Sequence, residues 1–132
     1  MKKKVVLVAS LLSLAWTFYL TASVALNATS VAPRVAGGQL HSFSGVLRFT
    51  YGVQAIVVLF QLIFLVQLFK RSGVWSNSSY LLARIFLILS ALSAVVNMAS
   101  RSPLERWNAI PAFAIAYSYI VLGSLNFRPR RR

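Results

Sequence analysis

Few side chains in this sequence are equipped for chemistry, and their spacing limits what they can do. Glu105 is the only acidic residue, His41 is the only histidine, and there is no cysteine. Paired carboxylates for acid–base work, thiolate or multi-histidine metal sites and redox relays therefore lie outside its means. What remains is a set of polar groups embedded in long apolar runs: Gln54 and Gln61, Arg84, and Ser90, Ser93 and Asn97 at helical spacing. Within a membrane each such group needs a partner, which makes these six the candidate polar intramembrane site or helix contacts. They offer hydrogen bonds and one guanidinium, but no nucleophile–base pair. No catalytic residue, cofactor or metal is expected.

The elements that hold these groups are apolar. Hydrophobic residues make up 58% of the 132 and charged residues 11%, against about 25% charged in an ordinary soluble domain. Four runs stand out, at about 5–28, 45–69, 80–99 and 109–127. Each approaches the roughly 20 residues that a helix needs to cross about 30 Å of hydrocarbon. Only a helix satisfies its backbone within one such segment. The expected fold is all-α: a single polytopic membrane domain of four transmembrane helices in an antiparallel bundle, with no internal repeat.

Charge gives the orientation. Fourteen Lys and Arg against one acid leave a formal net charge of +13. In a soluble domain that would suggest nucleic acid, but no nucleic-acid-binding motif accompanies it, and no nucleic-acid partner is expected. The basic residues flank the apolar runs instead. With four spans, Lys2, Lys3, Lys4, Lys70, Arg71, Arg128, Arg130, Arg131 and Arg132 share one side, with Arg84 just inside the third span near it. Arg34, Arg48, Arg101 and Arg106 fall on the other. The positive-inside rule then puts both termini in the cytoplasm of a plasma (inner) membrane. Arg128, Arg130, Arg131 and Arg132 form a lipid-facing basic anchor, each worth about 1 kcal/mol against anionic head groups at the cytoplasmic face. A cleaved signal peptide is the rival reading of the first run, because Lys2–Lys4 and the small residues Ala22-Ser23-Val24-Ala25 suit one. The length of the run and the bulk of Trp16, Phe18 and Tyr19 favour a retained span.

Local signals refine this outline. Ser102 and Glu105 fit a capping box with Pro103 at the first helical position, which would give the lone acid a structural role as the helix cap. Pro111 predicts a kink within the helix that Pro103 opens. Ser78 or Ser79 could cap the third helix. Ser10, Ser13, Thr17 and Thr21 share a face of the first span, as do Ser90, Ser93, Asn97 and Ser100 of the third; Ala112, Ala116 and Gly123, with Tyr119 beside them, line the fourth. Such faces are usually packing seams. Asn27-Ala28-Thr29 and Asn77-Ser78-Ser79 match the glycosylation pattern, but their placement argues against use.

The stretch from Leu82-Ala83-Arg84 to Asn97, followed by Ser100-Arg101-Ser102-Pro103-Leu104-Glu105-Arg106-Trp107 and Pro111, resembles small four-helix integral membrane proteins of bacteria, actinobacteria above all. The likeness covers the chain from about residue 82 onward. It implies a four-helix fold and a membrane location, and carries no activity with it. Small multidrug exporters fit less well, since they use a glutamate in the first span. Lipid-linked sugar flippases share the size and basic character but place their Asn-and-Arg span end elsewhere.

Two functions are compatible with these residues. The first is a non-enzymatic accessory or assembly subunit that packs against another membrane subunit or itself. The alternative is a small carrier or flippase for a lipid-linked or anionic molecule, working through Gln54, Gln61, Arg84 and Asn97.

Overall fold

A computed structural model describes residues 2–38, 40–70 and 76–124, and among these all regular structure is helical. α1 spans Lys2–Ala25, α2 Gly45–Lys70, α3 Asn77–Met98, α4 Pro103–Arg106 and α5 Ala109–Tyr119; a π-helical turn, Ile120–Ser124, extends α5. α1, α2 and α3 are long and apolar enough to cross a membrane. The count of four spans is not reached within the described residues, because α5 provides 11 residues of α-helix and the π turn 5. The expected anchor Arg128, Arg130, Arg131 and Arg132 lies outside the described residues.

α1 packs against α2 and α5, and α5 against α3. The backbones of α2 and α3 do not close on each other; aromatic side chains bridge them instead. Phe86 of α3 meets Phe60 and Phe64 of α2 at ring-centroid distances of 6.3 and 5.7 Å, and Tyr119 of α5 joins Phe64 and Phe86 at 6.4 and 5.7 Å. Edge-on and tilted arrangements of this kind suit the ring quadrupoles. With Leu14, Leu65 and Leu122, the rings of Phe64, Phe86 and Tyr119 fill the bundle toward the end that carries the N-terminus and Lys70.

The opposite end is closed by a folded cap. α1 stops in a Schellman motif: Asn27 takes the left-handed conformation (φ 63°), its N–H bonds Val24 O at 3.0 Å, and Ala28 N–H bonds Ser23 O at 2.8 Å. Arg48 Nε adds a third bond to this end, donating to Ala25 O at 3.1 Å. The segment that reads as a plain loop is packed: a 3₁₀ turn, Thr29–Arg34, buries Val31 and Ala32, which join Val35 and Phe43 against Leu20 and Val24 of α1.

Three local expectations are corrected. Ser76, not Ser78 or Ser79, caps α3: its Oγ accepts Ser79 N–H at 3.2 Å, because the helix starts a turn earlier than its apolar run. Pro111 makes no interior kink. The helix opened by Pro103 ends at Arg106, and Pro111 is the third residue of α5, where a missing N–H leaves no gap in the ladder. The capping box is half formed. Ser102 Oγ accepts Glu105 N–H at 3.3 Å, but Ser102 N–H goes to Ser100 Oγ at 3.1 Å, so the Glu105 carboxylate does not return to it.

Candidate functional site

The polar groups of α1 are spent largely on their own helix. The hydroxyl of Ser10 donates to Val6 O at 2.6 Å, that of Ser13 to Ala9 O at 2.8 Å, that of Thr17 to Ser13 O at 2.9 Å and that of Thr21 to Thr17 O at 2.9 Å. Small residues here let α5 come close, and Ser10 also reaches Ala114 O at 3.5 Å.

Because α2 and α3 stand apart, a cavity of about 210 Å³ remains between α1, α2, α3 and α5. Thr17, Gln54, Gln61, Ser90 and Ser93 supply its polar groups, and Val57, Val58, Leu89, Ala112 and Ile115 the rest. A smaller chamber of about 80 Å³ continues it toward the cap, sharing Thr17, Gln54, Ser93 and Ala112 and adding Trp16, Arg34, Tyr51, Asn97, Glu105 and Asn108. The aromatic cluster Phe64, Phe86 and Tyr119 packs beyond Gln61, on the side away from the cap.

Five of the six candidate intramembrane residues thus come together: Gln54, Gln61, Ser90, Ser93 and Asn97. Asn97 Nδ2 reaches Ser93 Oγ at 3.5 Å. Arg84 is separated from them. It is exposed on the far face of α3, and its guanidinium lies 4.9 Å from the Tyr80 ring centroid one turn back. One helical step from the buried Ala83 is enough to turn it outward.

The single acid is a clasp between two cap segments. Its Oε2 accepts Gly37 N–H at 2.9 Å and the Ser100 hydroxyl, tying the 3₁₀ turn Ala36–Gly38 to the α3–α4 connection. Ser102 donates to Pro33 O at 2.6 Å alongside it. Next to the clasp, Asn108 holds three elements: Nδ2 donates to Arg34 O at 2.7 Å, and Oδ1 accepts Trp16 Nε1–H at 3.2 Å. The Arg34 guanidinium stacks 5.5 Å from the Trp16 ring centroid.

Asn108, Tyr51 and Trp16 are site residues that the sequence reading did not single out. Tyr51 could have been found, since it lies three residues before Gln54 on the same helical face. Asn108 gives no comparable signal, because its role depends on partners 74 and 92 residues away.

Comparison with protein-family models, with curated proteins and with solved structures finds no match to the chain. Function must therefore be argued from the cavity itself. Among the described residues no group of three or more His, Cys, Asp or Glu gathers. The polar groups that converge on the larger cavity are amides and hydroxyls, which bind by hydrogen bonding.

Proposed function

We propose that the chain is a plasma-membrane protein of four crossings with both termini cytoplasmic, acting as a small carrier for an amphiphile whose polar head enters the bundle. The observation that carries this reading is the place of the polar cavity, between two helices that do not close on each other. A head group can enter there sideways while its acyl chains stay in lipid. The aromatic cluster and the clasped cap would be the two barriers that a carrier needs. The fourth crossing is supported by the apolar sequence that continues from Ala109 to Phe127. The orientation rests on the basic residues at the termini and at Lys70-Arg71.

Reconstitution tests the carrier. Vesicles containing the protein should move a fluorescent lipid between leaflets faster than protein-free vesicles, and Gln61→Ala and Asn97→Ala should each remove the acceleration. Rates equal to those of empty vesicles would refute it. Orientation is tested separately: a reporter fused at the C-terminus should be active only in the cytoplasm, and periplasmic activity would reverse the topology.

The accessory-subunit reading draws on the same cleft. Phe60 and Leu89 are exposed along it, and a helix of another membrane protein could fill the gap between α2 and α3. Native electrophoresis after mild detergent extraction separates the two readings. Co-migration with a larger complex favours the subunit, whereas a monomer or homo-oligomer stabilised by lipid favours the carrier.

A further inference from the structure

The charge and hydrogen-bond inventory of the cavity narrows what it can hold. Gln61 and Ser90 are each 6% exposed, and neither side chain has a hydrogen-bond partner among the described residues. No buried side-chain nitrogen or oxygen is left sealed off without a partner, so their polar atoms must face open space, and the space that both line is the cavity. Gln54 lines it as well, more exposed, also with its amide unpaired among the described residues. Three unpaired polar groups facing one cavity near the middle of two apolar helices need a partner that the chain does not supply.

That partner is not a strong ion. No charged side chain lines the larger chamber. Arg84, the one guanidinium among the candidate residues, faces away and is engaged with Tyr80. Arg34 is absent from the larger chamber; it lines the smaller one, where it stacks on Trp16 and shares the space with the opposing charge of Glu105, and a surface groove beside Trp107. A phosphate or an ammonium inside the larger chamber would be desolvated without a counter-charge, which is costly. Carboxamides both donate and accept, and hydroxyls do the same, so they match a guest that is itself uncharged and bears hydroxyls or amides. At about 30 Å³ per water, 210 Å³ corresponds to roughly seven waters, room for a glycerol-sized or single-sugar head.

We infer that this cavity binds the neutral, hydroxyl-bearing head of a lipid through Gln61 and Ser90, in preference to an anionic head. The inference rests on the carrier reading and adds the substrate class. The probes are a short-chain monoglucosyl diacylglycerol and a phosphatidic acid with the same chains. Each is titrated into the full-length protein in phosphatidylcholine nanodiscs, with the melting temperature and apparent affinity as readouts.

The glucolipid should raise the melting temperature in a saturable way that Gln61→Leu diminishes, whereas any stabilisation by phosphatidic acid, which the basic residues of the chain also attract, should be unchanged by Gln61→Leu. Gln61→Leu keeps the volume and suits a membrane interior, so it should fold normally and weaken glucolipid binding by about tenfold, the usual effect of losing a buried hydrogen bond. Ser90→Ala, a smaller change, should weaken it by several-fold and serves if Gln61→Leu does not fold. Tighter binding of phosphatidic acid that still depends on Gln61 would overturn the neutral class while leaving the carrier standing. Glucolipid binding untouched by both substitutions would overturn the assigned site. Saturable binding of neither lipid to the wild-type protein would overturn the neutral-head assignment, while the carrier reading stands or falls on the leaflet-exchange assay.

Discussion

Gly38→Ala is expected to be one of the most damaging single substitutions in the cap, costing about 2–4 kcal/mol through a positive φ combined with overpacking. Gly38 has φ +73°, and a Cβ there would stand 2.8 Å from both Cβ and Oγ of Ser102 and 3.0 Å from Pro33 O. Ser102 cannot yield freely, because its hydroxyl donates to Pro33 O and accepts Glu105 N–H. A methyl group would therefore push apart the segments that Glu105 clasps, and the cap would loosen as a unit. Gly37→Ala is the control. It has a similar φ of +79° with nothing within 4 Å of the added atom, so only the conformational cost of about 1–2 kcal/mol applies. Thermal melting of the two variants in one detergent measures the difference. Equal losses would mean that contact with Ser102 is not what fixes Gly38.

The second large effect is expected at Tyr119. Its side chain is 0% exposed and stands among Phe64, Phe86 and Leu122. In a bilayer, lipid chains are as apolar as such a core, so there burial from water would contribute little between helices, and dispersion across well-fitted rings would contribute most. Tyr119→Ala should cost about 3–5 kcal/mol by the cavity it leaves. Tyr119→Phe should cost no more than about 1 kcal/mol, because the phenol makes a single long bond, 3.4 Å to Gln61 O. Chemical unfolding in mixed micelles would resolve the pair. A Phe variant as damaged as the Ala variant would show that the hydroxyl, not the ring, holds the helices together there.

Much of the helical outline was legible, and the reason is local. Apolar runs mark α1, α2 and α3 because a helix able to cross a membrane is apolar on every face, and the spacing of Ser90, Ser93 and Asn97 gives their shared face by geometry alone. Ser102 as a cap was readable because capping is a contact across three residues. The role of the carboxylate three residues on is not local, since Gly37, 68 positions earlier, offers a better partner than the helix's own first turn. Sequence gives the depth of Arg84 in its apolar run, whereas its direction depends on which side of α3 meets α5, and the residue string does not contain that. The cavity was equally hidden. It exists because α2 and α3, consecutive in the chain, are held apart by the partners each has chosen.

The wall of α1 has a property that follows from how its hydroxyls are bonded. Ser13, Thr17 and Thr21 have each given their proton to a carbonyl of their own helix. At the cavity, Thr17 is therefore left with lone pairs and no hydrogen to share. That surface can receive a hydrogen bond but cannot offer one. A guest settling against α1 must bring its own protons, as an alcohol does, and an oxygen-rich ion stripped of hydrogens would meet only the repulsion of lone pair against lone pair.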